Sequence, residues 1–262
     1  MGSQTSSSAG ASAPAVSSPE GRAKLQGFWA RYFTFYDTLN MAIPYRQMIQ
    51  QQAVLLEIRP NELVLDAGTG TGNVAVELIG RGARVIGLDF CVPALDICRG
   101  KAPGADFRFG DLTQPLEFDS GHFDKVACCC VLHLLERPAQ AAAIKELARV
   151  LKPGGLLCVT VFAAGFKPIP VWVETLRAQR AAGTLMDTVD FAFRYFWRTL
   201  KFLYYVGRIR RQEKSGSYKF VAREDMARYL KDAGLEVRMM DMVFAGQCLT
   251  ALAYKPAAEG PA

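Results

Sequence analysis

A glycine-rich turn constrains this sequence more than any other feature. It follows an apolar run that ends in an acid, and residues 63–75 read LVLDAGTGTGNVA. The apolar run predicts a buried strand, and the residues after the turn predict a helix. Three glycines at alternate positions let the backbone bend sharply and approach a ligand that any Cβ would exclude. We therefore expect a small-molecule site between this strand and this helix.

The spacing of the glycines excludes two common phosphate-binding motifs. A dinucleotide fingerprint needs Gly-x-Gly-x-x-Gly, but Gly68 and Gly70 are followed by Asn73 in the third position, with the last glycine one residue early at Gly72. A P-loop is also absent, because no Gly-Lys-Ser/Thr follows. An oxidoreductase built on a dinucleotide site is therefore the least favoured function.

Short apolar runs alternate with helix-length stretches through the rest of the chain. Strands that alternate with helices predict right-handed βαβ units and a parallel sheet with helices on both faces. The last two runs are close enough together for an antiparallel hairpin. The expected strands are Leu63–Asp66, Ala83–Asp89, Asp106–Phe109, Lys125–Val131, Gly155–Phe162, Leu235–Val243 and Gln247–Tyr254.

Composition predicts one large globular domain with appendages, since half of the residues are hydrophobic and 21% are charged. No apolar run has the length that a membrane-crossing helix needs. We expect a disordered Ser/Ala/Gly tail without a secretion signal, N-terminal cap helices, a ligand-binding core, a helical lid, a terminal helix with a hairpin, and a second tail. The corresponding ranges are 1–22, 23–58, 59–164, 165–221, 222–255 and 256–262.

Two further acids follow the second and third candidate strands. Asp89 ends the second strand and precedes Phe90, and Asp111 follows the third and precedes Leu112. An acid at the end of the strand beside a glycine loop can accept both hydroxyls of a ribose. With Asp66, these acids suit a ligand that has a free ribose, an adenine and a cationic centre. A helix N-cap is the alternative for Asp89 or Asp111 taken singly.

The sequence resembles the class I S-adenosylmethionine-dependent methyltransferases, specifically the small-molecule and lipid branch that includes ubiquinone/menaquinone C-methyltransferases. The resemblance covers roughly residues 36–162 and rests on five motifs in series: VLDAGTGTG at 64–72, GLDF at 87–90, GDL at 110–112, FDKV at 123–126 and LARVLKPGG at 147–155. It implies S-adenosylmethionine as cofactor. It also implies a Rossmann-like, seven-stranded sheet of order 3-2-1-4-5-7-6 with strand 7 antiparallel.

The same resemblance assigns a set of cofactor-binding residues. The glycine loop approaches the methionine part, with an acid beneath it and a cap tyrosine beside it. The second acid takes the ribose hydroxyls, the aromatic residue after it lines the adenine, the third acid and its neighbouring leucine contact the adenine edge, and a cysteine lines the pocket. These residues are Tyr36, Asp66, Gly68, Thr69, Gly70, Gly72, Asp89, Phe90, Asp111, Leu112 and Cys128. A core aromatic is the alternative for Tyr36.

His133 is the candidate catalytic residue. Methyl transfer needs little covalent help, because the sulfonium is an activated donor and in-line positioning supplies much of the acceleration. His133 follows the fourth strand, and an ordinary pKa near 6.5 would let it take a proton from the acceptor. Packing at a helix start is the alternative. Quinone C-methyltransferases have Arg-Asn where this chain has His133-Leu134, which weighs against a quinone ring as acceptor.

The charge excess lies in the predicted lid. Between Arg194 and Lys214 there are seven basic residues and one acid, a local balance of +6 that equals the net charge of the chain. Such an aromatic and basic helix can cover an apolar pocket, contact an anionic membrane surface, or do both, and nucleic-acid contact is less favoured. A helix would place Phe193, Phe196, Trp197, Leu200, Leu203 and Tyr204 on one side and Arg194, Arg198, Lys201 and Arg208 on the other.

Seven cysteines, mostly in apolar segments and without Cys-x-x-Cys spacing, predict reduced core thiols, no metal site and a cytoplasmic compartment. Alternation along a strand would send Cys128, Cys129 and Cys130 to opposite faces, away from a common metal.

The sequence favours methyl transfer to a small, lipophilic acceptor, such as a lipid, a prenylated ring or a secondary metabolite. The fourth motif reads CCCV at 128–131 and lacks the Asn/Asp-Pro-Pro-Tyr/Phe of enzymes that methylate base amino groups. The alternative is a non-catalytic module that binds the cofactor and docks on a membrane or protein partner through its basic helix.

Overall fold

The computed structural model describes residues 19–164, 167–194, 196 and 219–257. Its centre is one sheet of seven strands: β1 (Leu63–Ala67), β2 (Arg84–Asp89), β3 (Asp106–Phe109), β4 (Phe123–Cys129), β5 (Leu151–Phe162), β6 (Glu236–Val243) and β7 (Cys248–Tyr254). The order is β3-β2-β1-β4-β5-β7-β6. The first five strands are parallel, and β7 runs antiparallel to both of its neighbours. The predicted fold class is therefore confirmed.

Helices cover both faces of the sheet. They are α1 (Pro19–Tyr36), α2 (Ile43–Leu55), α3 (Asn73–Gly80), α4 (Val92–Lys101), α5 (Arg137–Val150), α6 (Pro168–Ala182), α7 (residues 185–194) and α8 (Arg223–Asp232), with 3-10 turns at Asp37–Met41 and Leu132–Leu134. Proline in the first turn favours the start of α2, α4, α5 and α6, because its missing N–H is not needed there.

The two apolar layers follow from the alternation of side chains along each strand. Leu65 and Val126 are buried on the face covered by α5 and α8. Val64 and Ala127, their neighbours in sequence, are buried on the opposite face against α2, α3 and α4. The strands are apolar on both sides, as a covered parallel sheet requires.

The loops that follow the parallel strands lie together along the edge formed by the carboxyl ends of these strands. The carboxyl ends of β1 to β5 lie there because these strands are parallel. The β6–β7 turn joins them, since Phe162 at the end of β5 pairs with Cys248 at the start of β7. This edge is where open α/β sheets bind their ligands.

Some boundaries differ from those predicted. Strand β4 ends at Cys129 rather than at Val131, because Cys130 has a φ of 59° and leaves the extended conformation. Helix α1 begins at Pro19, within the segment predicted as a tail.

The predicted lid is described only in part. Trp197, Arg198, Leu200, Lys201, Leu203, Tyr204 and Arg208 lie outside the described residues. Among the described helices, none combines the length and apolar content that crossing a membrane requires.

Candidate functional site

The glycine loop (residues 68–72) leaves β1 and enters α3 at the carboxyl edge of the sheet. Gly68, Gly70 and Gly72 have φ values of +76°, +54° and +80°, in the left-handed region that side chains rarely adopt. A Cβ on Gly68 would lie 2.2 Å from Cγ2 of Val131. The amides of Gly68 and Thr69 both donate to the carbonyl of Leu88 at 2.8 Å, which fixes the loop to β2. The loop is thus a preformed cradle of bare backbone.

Asp66 lies beneath this cradle at the end of β1 and is 1% exposed. Its Oδ2 accepts a hydrogen bond from the Thr69 hydroxyl at 2.7 Å. Its buried Oδ1 has no hydrogen-bond partner among the described residues. Burial raises the pKa of the Asp66 carboxyl to about 7. A buried acceptor without a donor is unfavourable, so this atom suits a ligand that brings a cation or an N–H group.

Asp89 connects the glycine loop to the start of α4. Its Oδ2 accepts from the Gly70 amide and its Oδ1 from the Cys91 amide, each at 2.8 Å. Burial raises the pKa of this carboxyl, and these amide donors partly offset the effect. Each carboxylate oxygen can accept a second hydrogen bond. Support of the helix start and a role in ribose binding are therefore compatible.

The residues predicted to surround the adenine lie in two adjacent loops. Phe90 follows β2 and packs with α1, and Leu112 is buried after β3. Asp111 Oδ1 accepts from the Thr113 amide at 2.9 Å and from its hydroxyl at 2.7 Å. Asp111 thus stabilises its own turn, which is not the start of a helix, and contact with adenine stays a prediction.

The three cysteines at the end of β4 do not lie on one face of the sheet. Cys128 is fully buried in the layer under α5, whereas Cys129 and Cys130 are partly exposed at the edge. The Cys129 and Cys130 sulfurs are 3.9 Å apart, because the left-handed Cys130 turns its side chain back. Strand alternation therefore directs Cys128 into the core, and the neighbouring thiols are the better candidates for lining a pocket.

Helix α1 covers the glycine loop with aromatic side chains. Trp29 and Phe33 are buried against Cys91 and Ala94. The Phe33 ring lies 3.4 Å from the position that a Cβ on Gly70 would occupy. The Gln26 amide also donates to the carbonyl of Phe90 at 2.9 Å. The cap thus packs directly on the glycine loop and on the start of α4.

A chain of polar side chains joins the cap to the loop, and the sequence analysis missed most of it. The Asn73 amide nitrogen donates to the Tyr45 hydroxyl at 3.2 Å, and the Tyr45 hydroxyl donates to that of Tyr36 at 3.2 Å. Lys101 Nζ donates to Asn73 Oδ1 at 3.0 Å and forms an ion pair with Asp37 at 2.8 Å. Among its members, the sequence analysis assigned a role only to Tyr36, and it used Asn73 only to exclude a dinucleotide site.

An aromatic arc extends from the cap around the edge of the sheet. Successive ring centroids are 6.1, 5.8, 6.2, 5.2 and 6.3 Å apart. Contacts of this length are typical of packed aromatic pairs. In spatial order the aromatic arc consists of Tyr36, Tyr45, Phe244, Phe162, His133 and Phe220.

His133 is a member of this arc rather than a solvated side chain. It is 6% exposed, and burial lowers the pKa of its imidazole to about 3. The ring is therefore neutral at ordinary pH. Of the two interpretations of His133, this environment favours packing over proton transfer, and the catalytic role stays a prediction.

Comparison with known proteins identifies the core of the site. Residues 64–155 match a family model described as a methyltransferase domain. This part of the chain is therefore similar to methyltransferase domains. The predicted resemblance to S-adenosylmethionine-dependent methyltransferases is confirmed, and the matched residues include the glycine loop and the acids that follow β1, β2 and β3.

The proteins that are similar to this chain have names that indicate different roles. The chain is 36% identical over 131 residues to the demethylmenaquinone methyltransferase of Renibacterium salmoninarum, covering 49% of this chain and 54% of that protein. It is 34% identical over 154 residues to the biotin biosynthesis bifunctional protein BioHC of Cellvibrio japonicus, covering 50% of this chain and 30% of that protein. The chain therefore spans less than two thirds of either relative.

A solved methyltransferase has the same fold. The magnesium protoporphyrin IX methyltransferase ChlM from Synechocystis, solved with bound SAH, has a TM-score of 0.55 and 19% identity, covering 81% of this chain and 84% of that one. Most of the aromatic arc lies outside the matched methyltransferase domain, since only His133 falls within residues 64–155. The aromatic arc is thus formed largely by the cap, the end of β5, the β6–β7 turn and the segment before α8.

Proposed function

We propose that this chain binds S-adenosylmethionine at the glycine loop and transfers its methyl group to a small, lipophilic acceptor beside the aromatic arc. The observation that carries the cofactor proposal is the buried Asp66 Oδ1, which has no donor among the described residues and lies beneath a backbone cradle. A ligand that combines a cationic centre with hydrogen-bond donors matches this environment. Bound there, S-adenosylmethionine would supply a methyl group activated by its sulfonium.

The contribution of the protein is to bind, orient and exclude water. The glycine loop and Asp66 would hold the amino-acid half of the cofactor, and Asp89 would accept the ribose hydroxyls. Phe33 covers Gly70 and other side chains of α1 pack on the start of α4, so the cap would shield this side of the bound cofactor from solvent. Holding donor and acceptor in line supplies most of the rate acceleration that such a reaction needs.

The aromatic arc supports an apolar acceptor. Phe244 is buried, Phe162 and Phe220 are partly buried, and none of these three rings carries a polar atom. The names of two similar proteins, a demethylmenaquinone and a magnesium protoporphyrin IX methyltransferase, agree with a ring-containing acceptor. The replacement of Arg-Asn by His133-Leu134 argues for a ring other than a quinone.

The test is methyl transfer from radiolabelled S-adenosylmethionine to a total-lipid extract and, separately, to a polar metabolite pool. Label in the lipid extract is expected. Label only in the polar pool would contradict the lipophilic acceptor. Tight binding of S-adenosylhomocysteine with no transfer to either pool would favour the non-catalytic module.

We also propose peripheral contact with an anionic membrane, which would bring the chain to lipophilic acceptors. The side chains of Leu185, Met186, Val189, Phe193 and Phe196 are 48–75% exposed on and just after α7. Seven basic residues follow from Arg194 onward in the sequence. Apolar side chains beside clustered cations are typical of segments that lie on anionic lipid. The seven free thiols agree with a cytoplasmic location.

A further inference from the structure

One series of hydrogen bonds between α4, the start of α3 and the cap runs in a single direction, from Lys101 through Asn73 and Tyr45 to Tyr36. Lys101 is the starting point, because an ammonium group can only donate. It donates to Asn73 Oδ1 at 3.0 Å, and the Asn40 amide nitrogen donates to the same oxygen at 3.2 Å. Two donors at this position fix the orientation of the Asn73 amide, since a flipped amide would place its NH2 group against both of them.

The orientation of Asn73 determines the orientation of both tyrosine hydroxyls. Asn73 Nδ2 donates to Tyr45 Oη, so the proton of Tyr45 is directed elsewhere. It is donated to Tyr36 Oη at 3.2 Å. Tyr36 Oη is therefore an acceptor in the last bond of the series, and its own proton is available for another group. No described residue accepts that proton.

The end of the series lies beside the glycine loop. The Tyr36 ring is 5.6 Å from that of Phe33, and Phe33 packs on Gly70. Asn73 is the first residue of α3, directly after the loop. Tyr36 thus lies beside the loop that would hold the amino-acid half of the cofactor.

We infer that Lys101, Asn73 and Tyr45 are positioning residues that direct the Tyr36 hydroxyl as a hydrogen-bond donor to the carboxylate of the bound cofactor. This inference rests on the proposed function and adds to it a relay, which is the series of hydrogen bonds from Lys101 through Asn73 and Tyr45 to Tyr36. Each donor polarises the next along a series of hydrogen bonds, so the cation at Lys101 strengthens the donor at Tyr36. The inner part of the series is protected from competing water, since Tyr45 is 1% exposed.

Two probe ligands separate this role from general structural support. S-adenosylhomocysteine contains the amino-acid half, and 5′-methylthioadenosine has the same adenosine and sulfur without it. We expect Tyr36→Phe to weaken binding of S-adenosylhomocysteine about 10- to 100-fold, as the loss of a hydrogen bond to a charged group predicts. Tyr45→Phe should weaken this binding about 3- to 10-fold, because the Tyr36 hydroxyl then loses the donor that orients its proton. Neither variant should change the affinity for 5′-methylthioadenosine in calorimetric titrations.

The double variant tests whether Tyr45 acts through Tyr36. Tyr36→Phe with Tyr45→Phe should bind S-adenosylhomocysteine as Tyr36→Phe alone does. Lys101→Gln, at the surface end of the relay, should reproduce part of the Tyr45→Phe effect without disturbing the core. Tyr229→Phe is the matched control, because Tyr229 is also buried but belongs to α8 on the opposite face.

Equal losses for both probes, or additive losses in the double variant, would overturn the relay while leaving the proposed function intact. Unchanged S-adenosylhomocysteine affinity in Tyr45→Phe and Lys101→Gln would also overturn the relay and leave the proposed function intact. Failure of the unaltered chain to bind S-adenosylhomocysteine at all would overturn the proposed function and the relay together.

Discussion

At the scale of single residues, Asp66 makes stability depend on pH. Its folded pKa of about 7 lies above the ordinary value of 3.8. The folded state therefore binds the proton more tightly, and the free energy of unfolding should fall as pH rises from about 4 to about 7. The slope is at most about 1.4 kcal/mol per pH unit for one group. Asp66→Asn should remove this slope, which denaturant unfolding at several pH values would show; an unchanged slope would exclude Asp66 as its source.

The same carboxyl should couple cofactor binding to proton release. A cationic ligand favours ionised Asp66, so binding below pH 7 must release a proton that the free site holds. Affinity for S-adenosylhomocysteine should therefore increase as pH rises to about 7 and then level off. Calorimetry in two buffers of different ionisation enthalpy would measure the released proton. Identical heats in the two buffers near pH 6 would contradict this role.

His133 presents the opposite case, a buried base that stays neutral. Because burial lowers its pKa to about 3, we expect His133→Ala to act by removing a ring from the aromatic arc. The KM for an apolar acceptor should rise, with little change in kcat or in cofactor affinity. A general base would instead contribute about 10²- to 10⁴-fold to kcat. Steady-state kinetics distinguish the two, and a loss of that size in kcat would restore the catalytic interpretation.

At the scale of elements, the glycine loop depends on close packing as well as on backbone freedom. Gly68→Ala would place a Cβ 2.2 Å from Val131 Cγ2 in a left-handed conformation. The strain of the conformation alone is about 1–2 kcal/mol. We expect destabilisation of at least about 2 kcal/mol and loss of S-adenosylhomocysteine binding, measured by denaturant unfolding and calorimetry.

Gly80→Ala is the matched control for this prediction. Gly80 ends α3, the helix that the loop enters, and an added Cβ there meets nothing within 4 Å. Alanine should be neutral or slightly stabilising at this position, because it loses less backbone entropy than glycine. Comparable destabilisation by the two substitutions would show that the packing of Gly68 is not the decisive factor.

At the scale of the whole molecule, the distribution of charge predicts where the chain meets a membrane. Replacing Arg194, Arg198, Lys201 and Arg208 with glutamine should reduce sedimentation with anionic vesicles, by about 1 kcal/mol of binding free energy for each cation at the surface. The control variant replaces four exposed basic residues of the core and cap with glutamine, which changes the net charge by the same amount. These residues are Arg46, Arg59, Arg84 and Lys145. Equal sedimentation of the two variants would refute a localised membrane contact.

The core of the fold could be predicted because its signals are local. The glycine spacing at 68–72 predicts a sharp strand-to-helix turn and excludes a dinucleotide fingerprint and a P-loop. Each strand appears as a short apolar run, so the motifs that follow the strands could be placed in order along the chain, and the resemblance supplied their order in the sheet. The end of β4 was misplaced by two residues, because Cys129 and Val131 both suit a strand and nothing in the sequence marks the left-handed Cys130.

The sequence by itself predicted the alternation of strands and helices and the terminal hairpin, because apolar patterning and glycine spacing act over a few residues at a time. The order of the strands followed from the resemblance to a known family. Only the tertiary structure brings together the residues of the hydrogen-bond series from Lys101 to Tyr36 and those of the aromatic arc. Lys101 and Asp37 are 64 positions apart in the chain yet form an ion pair, and Phe244 meets Tyr45 only through the β6–β7 turn. Burial likewise gives Asp66 and His133 their shifted pKa values, and burial is a property of packing that neither residue carries in its own sequence neighbourhood.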